Sequence, residues 1–290
     1  MKPMQKQNSI SVFYGIYLLS MLIFGTNGYL VAHISLQSSQ IVLFRTLIGG
    51  ALLSAAVLLR GGFDRAALKA DRKYLLLGGT ALGLNWVALF GAYRLLNVSL
   101  ATLIYYAGPM LVLLLSPRLF GEKLTGFKIA ALVIVGAGLV FISGSIAVGD
   151  FSPTGLLAAV GSALFYAALI LFNKRIVHTG GMQTAAVELD VAFLVVLLYT
   201  FVTAGLPQPQ RGDLPWILII GVLNTGLAYL LYFSGLQKLP GQSVALLSYV
   251  DPVSALVFSA LLLHETMSPL QLAGAVLIIG GAVLGELKRG

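Results

Sequence analysis

The sequence predicts an all-α integral membrane protein of ten transmembrane helices, arranged as two five-helix repeats of opposite orientation. Three observations carry this. Hydrophobic residues fill 58% of the 290 positions and charged residues only 10%, against about 25% charged in an average soluble domain. Apolar runs long enough to cross a bilayer, about 20 helical residues each, tile the chain from end to end. The chain also contains its own sequence twice. A soluble enzyme, a disordered tail and a nucleic-acid module are excluded.

The first run, Val12–Ala32, follows Lys2 and Lys6 and so has the charge pattern of a signal peptide. Its 21 residues exceed a signal core of about 7–15, and no small-x-small site closes it, so it reads as a span. Asn27, between Thr26 and Gly28, is a polar break in it. Span two, Gln40–Leu59, carries Arg45. Span three, Tyr74–Leu95, carries Asn85, Trp86, Phe90 and Tyr93 and ends on Arg94. Span four, Ser99–Leu119, holds Tyr106 and, at its midpoint, Pro109, with Glu122 just beyond. Spans five and six are Ile129–Val148 and Thr154–Phe172. Span seven, Gln183–Thr203, contains Glu188 and Asp190. Span eight, Trp216–Leu236, contains Asn224, Thr225, Tyr229 and Tyr232. Span nine, Ser243–Leu263, contains Tyr249, Asp251 and Pro252, with Glu265 beyond. Span ten, Pro269–Gly285, is the shortest at 17 residues and ends in the helix-packing pattern Gly281-x-x-x-Gly285. The longest connector, Arg60–Lys73, has 14 residues, too few for an extramembrane domain.

The basic residues orient the bundle. With the N-terminus in the cytoplasm, 15 Lys and Arg fall on the cytoplasmic side, and only Arg94 and Arg211 on the other. The net charge of +8 is therefore a topology signal, and both termini are expected in the cytoplasm. There is no Cys, which excludes disulfides and Cys-ligated metal sites.

Placing residue i on i+143 over residues 91–140 gives twelve identities in 50 positions, among them Tyr106/Tyr249, Pro109/Pro252 and Glu122/Glu265. An offset of 139 places Asn85 on Asn224, Phe90 on Tyr229 and Tyr93 on Tyr232. The units expected are 1–148 and 149–290. Five spans per unit is an odd number, so the second copy enters the membrane from the opposite side. Inverted repeats of this kind are a transporter signature. The segment GVLNTGLAYLLYFSGLQKLPGQSVALLSYVDPVSALVFSALLLHETMSPLQLAGAVLIIGGAVLG, 221–285, resembles the second repeat of EamA-type transporters of the drug/metabolite transporter superfamily. Residues 103–139 carry a matching version, and LFRTLIGGALL, 43–53, is similar to that family's Arg-bearing second helix. The resemblance implies a ten-helix carrier of small metabolites, usually an exporter in prokaryotic inner membranes. It names no substrate.

Pro109 and Pro252 lie at matching mid-span positions, where proline removes a donor and clashes with the preceding turn. They read either as hinges lining a transport site or as packing kinks. Asp251 places a carboxyl near the midplane, where charge costs about 2.5–3.5 kcal/mol on insertion scales. It reads as counter-ion to a cationic solute, as a proton carrier, or as a structural aspartate holding the kink. Asp190 is the second candidate for proton or ion coupling. Its neighbour Glu188 is two residues away and points to another helix face. Arg45 either snorkels outward or meets a substrate carboxylate with its planar fork. Trp86, Phe90 and Tyr93 share one face of span three, and Thr225, Tyr229 and Tyr232 the related face of span eight. With Asn27, Asn85, Tyr106, Asn224, Tyr249 and Asp251 they make the expected substrate-binding set. Glu122 and Glu265 read as helix-end contacts or as paired gates.

The scattered His33, His178 and His264 form no metal-ligand spacing, and no nucleotide loop or nucleophile elbow appears. No metal and no cofactor are expected. The expected function is a secondary transporter, in the export direction, of small metabolites such as amino acids or related amphiphiles. The alternatives are a lipophilic-cation exporter and a non-transport structural or sensory protein; an enzyme is not expected. The partners are the bilayer and a small solute, no nucleic acid, with the chain a monomer or homodimer.

Overall fold

The computed structural model describes residues 3–96, 98–143, 152–205, 207–264 and 266–287. Among the described residues there is no strand, and nine helices are long and apolar enough to cross a membrane: Ser11–Ala32, Ser38–Leu59, Arg65–Leu95, Leu100–Phe120, Pro153–Asn173, Gly181–Thr203, Leu214–Lys238, Gly241–Leu262 and Pro269–Glu286. The shorter apolar helix Gly126–Ile142 sits between the fourth and the sixth, making ten. Among the described residues the fifth helix, Gly126–Ile142, is the shortest of the ten, and the tenth runs Pro269–Leu287. Residues 144–148 of the expected fifth span, the 148/149 boundary, Glu265, Lys2, Lys288 and Arg289 lie outside the described residues.

The expected connector Arg60–Lys73 is mostly helix, because span three begins at Arg65. Asp64 supplies the reason: its Oδ1 accepts from the Ala66 and Ala67 amides at 3.0 Å each, capping donors that a helix start leaves free. The stretch Arg65–Lys73 is rich in Ala, Leu, Lys and Arg, all good helix formers. Periodicity of apolar residues marks only where the membrane begins, not where the helix does.

Three spans are broken in the middle. Span one stops at Gly25 and restarts at Asn27. Span four stops at Tyr105 and restarts at Ala107, and span nine stops at Leu247 and restarts at Val250. The last two breaks sit three residues before Pro109 and Pro252, with Tyr106 at φ −71°, ψ −1° and Tyr249 at φ −76°, ψ −3°. Each proline would clash with the carbonyl four residues back, so the chain yields there. Span eight carries a π-helical stretch, Ile220–Leu227.

Packing obeys the repeat. Span three packs on span six as span eight packs on span one. Span three packs on span seven as span eight packs on span two, and span four on span six as span nine on span one. Spans two and seven, four and nine, and five and ten pair with their own counterparts. Where five crosses ten, a Cβ on Gly138 would lie 2.7 Å from the Gly274 carbonyl, and one on Gly274 2.7 Å from the Gly138 carbonyl. Gly281 and Gly285 face Val135, Ala131 and Leu246, so that glycine pattern is spent inside the chain. The outer faces expose Leu59, Leu157, Leu198 and Val202, which suits lipid rather than water. The chain is an integral membrane protein.

Candidate functional site

A cavity of about 430 Å³ lies within the bundle. Its deep wall holds Tyr105, Tyr106, Tyr166, Tyr229 and Asp251, and its lining runs out to Val31, Ser38 and Tyr93. Those three lie at the end of the bundle that carries the turn between spans one and two, opposite the end where spans one and ten place the termini.

Hydrogen bonds cross between the spans at the other end, where a separate cavity of about 360 Å³ is lined by Glu122, Lys128, Ser243 and Glu286. Tyr17 Oη bonds Ser248 Oγ at 2.8 Å, and Tyr14 Oη donates to Ser243 Oγ at 2.9 Å. Glu122 accepts the Gly241 amide at 2.6 Å and the Gln242 amide at 2.9 Å, binding the end of span four to the start of span nine. Lys128 Nζ donates to Gln242 Oε1. Lys174 Nζ donates to the carbonyls of Leu236 and Leu239 at the end of span eight. Burial pushes Lys174 down to about 8, against the opposing pull of Glu122.

Nine of the twelve expected binding residues line the cavity: Asn27, Asn85, Trp86, Phe90, Tyr93, Tyr106, Tyr229, Tyr232 and Asp251. Three sit behind it. Asn224 Nδ2 donates to the Ile23 carbonyl at 2.8 Å and reaches Asn27 Oδ1 at 3.1 Å, clamping the break in span one. Thr225 Oγ1 donates to the Ile220 carbonyl at 3.0 Å, five residues back, and accepts Arg45 Nε at 2.8 Å. Arg45 Nη2 also reaches the Asn224 carbonyl at 3.3 Å. These bonds sit at the centre of the π-helical stretch, where the usual i to i−4 ladder is opened. Tyr249 Oη donates to the Tyr106 carbonyl at 2.9 Å, satisfying backbone at the break before Pro109.

Asp190 lies off the cavity, exposed, and accepts Ser54 Oγ at 2.8 Å. Glu188 is buried off the cavity, with Asn173 Nδ2 at 2.9 Å from both of its oxygens and Gly78 pressed against it. Pro109 and Pro252 are buried beside the breaks. Arg45 lines the cavity, buried, with its guanidinium 5.6 Å from the Trp86 ring. Tyr166, stacked on Tyr105 at 5.0 Å and 8°, went unforeseen because it stands alone in span six, outside any stripe.

The repeat is visible in single bonds. Asn85 Nδ2 donates to the Ser162 carbonyl at 2.7 Å as its counterpart Asn224 does to Ile23, both pairs related by the 139 offset. The same offset puts Asn27 on Tyr166, and the other puts Gly108 on Asp251. In one half a Cβ on Gly108 would lie 2.9 Å from the Tyr166 ring, so the tyrosine fits only against glycine. In the other half the corresponding residues are Asn27 and Asp251, both on the cavity lining.

A ten-helix bundle of two repeats with a cavity at its middle is the architecture of a membrane transporter. Comparison with known proteins agrees. The EamA-like transporter family model matches residues 11–144 and again 153–285, and the chain belongs to that family. An uncharacterised transporter, YxxF of Bacillus subtilis, is 30% identical over 98% of this chain and 92% of its own. Protein PecM of Dickeya dadantii is 27% identical over 73% and 72%. The threonine/homoserine exporter RhtA of Escherichia coli is 26% identical over 74% and 71%. A solved crystal structure superposes with a TM-score of 0.85 at 24% identity, covering 96% of this chain and 98% of that one, so the two share a fold.

Proposed function

We propose that the protein is a secondary transporter that exports small organic metabolites, amino acids or related amphiphiles, across an inner membrane with both termini in the cytoplasm. The observation that carries this is the single-ended cavity, walled by aromatic rings and edged by amides, with a hydrogen-bonded seal at the opposite end. In this conformation the cavity opens to the outside. Alternating access then consists of releasing the seal around Glu122 and closing the end at Val31, Ser38 and Tyr93, with spans four and nine bending at the breaks before Pro109 and Pro252. Asp251 is placed for proton exchange with the cavity. For Asp190, coupling requires the opposite conformation, in which its end of the bundle opens. The exporter relative RhtA supports both the direction and the solute class. A second reading, export of lipophilic cations with Asp251 as counter-ion, draws on the aromatic walls.

Counterflow in proteoliposomes tests the reading. Vesicles preloaded with amino acids, nucleobases, sugars or lipophilic cations are followed for uptake of labelled solute. Protein-dependent exchange of amino acids supports it. Exchange of cations alone selects the second reading. No exchange by folded protein removes both.

A further inference from the structure

Two opposite charges, Arg45 and Asp251, line the same cavity and feel each other's field across it, yet neither has an ionic partner within 4 Å. Arg45 is only 7% exposed, and its partners are a hydroxyl, a backbone carbonyl and an indole face. Asp251 accepts Tyr106 Oη at 3.3 Å, again a neutral group. Among the described residues the one ion pair within 4 Å is His178–Asp71, far from both. A guanidinium held in a membrane interior without an anion is costly. Snorkelling would relieve it, but Arg45 is turned inward and held by Thr225 and the opened backbone of span eight. Its planar fork still has donors to offer, and that fork suits a carboxylate.

The two groups stand on different helices. Arg45 is seven residues into span two, roughly 10 Å from its outer end at 1.5 Å per residue. Asp251 is ten residues into span nine from the opposite end, roughly 15 Å. They therefore face the cavity at neighbouring depths, from separate walls. Trp86, Tyr229 and Tyr232 line the same cavity. A solute with one charge would leave the other pole uncompensated. A zwitterion satisfies both poles and gives its apolar part to the rings.

Resting on the carrier reading above, we infer that Arg45 and Asp251 are the two specificity-determining poles of a zwitterion site. Arg45 takes a carboxylate, Asp251 takes an ammonium, and the aromatic walls hold the remainder. Selection against single-charge analogues follows, because each leaves a buried charge unpaired.

The test uses the full chain in proteoliposomes and two matched series. Leucine and phenylalanine are each compared with the amine lacking the carboxyl and the acid lacking the amino group, as competitors of counterflow. In the native protein each zwitterion should compete at least tenfold better than either analogue. Asp251→Asn keeps the shape and removes one pole, so zwitterion and acid should become nearly equal. Arg45→Gln should do the same for zwitterion and amine. Melting of each purified variant in detergent checks folding, and Asp251→Asn carries the test alone if Arg45→Gln does not fold. Equal competition by zwitterion and analogues in the native protein overturns the assignment while leaving the carrier intact. So does an unchanged zwitterion-to-acid ratio in Asp251→Asn. Absence of any exchange removes the carrier reading and the assignment with it.

Discussion

Replacing Glu122 by Gln should open the sealed end. In the structure this carboxylate accepts two amides at the start of span nine, at 2.6 and 2.9 Å, where a helix leaves its first N–H groups unsatisfied. Hydrogen bonds to a charged group contribute about 1.5–3 kcal/mol each, and charge roughly doubles their strength. The side chain is half-buried, so the low end applies. Glutamine keeps one acceptor and loses the charge, a loss of about 1.5 kcal/mol to the sealed state. That is close to a tenfold change in an equilibrium constant. The chain has no native Cys, so single-cysteine labelling reads the change directly. Ala245, fully buried behind the seal, is replaced by Cys and labelled with a thiol reagent in inside-out vesicles. On the proposed cycle the inward-open state is the minor one, so labelling there should rise about tenfold in the Glu122→Gln background. An unchanged rate would refute the latch. So would faster labelling of Ala255→Cys, on the cavity, from the opposite side.

Other outcomes follow from the packing. Gly138→Ala should destabilise by about 1–3 kcal/mol through overpacking on the Gly274 carbonyl, whereas Gly280→Ala, with open space around it, should be neutral or stabilising; melting in detergent compares the two. Asn224→Ala should cost about 1–3 kcal/mol by stranding the Ile23 carbonyl without removing a cavity wall, so melting falls while solute preference is kept. Lys174 releases its proton near pH 8 in the folded chain and near the ordinary lysine value unfolded, so between those values the unfolded chain binds more protons and stability rises with pH. The native protein should therefore gain stability over Lys174→Gln between pH 7.5 and 10; parallel melting profiles would count against that burial.

The sequence carried the span count, the inverted repeat and most of the cavity wall, because each rests on a pattern that survives without three-dimensional knowledge. Bilayer thickness fixes span length, and a mid-span proline breaks its helix wherever it occurs. Asn85 and Asn224 illustrate the limit. Both were legible as interior polar residues, yet one edges the cavity and the other clamps a neighbouring helix, and that depends on which helix breaks beside it. Thr225 belonged to the right stripe but was claimed by Arg45, whose reach into span eight no periodicity encodes. Tyr166 had no partner in sequence; it is on the cavity because Gly108 leaves room for its ring. Helix ends beyond the membrane, as at Asp64, answer to capping rather than to hydropathy.

The exchange of tyrosine with glycine in one half for asparagine with aspartate in the other has a kinetic meaning. Two identical halves would make the journey through the membrane the same read forwards or backwards. On the proposed carrier cycle, a solute leaves an aromatic shelf on one side of the pseudo-twofold axis and a polar niche on the other. Its affinities from the two compartments must then differ, and with them the occupancy at which each half-cycle saturates. A gradient still decides which way net flow runs, but the mismatch between halves makes the carrier a rectifier in rate.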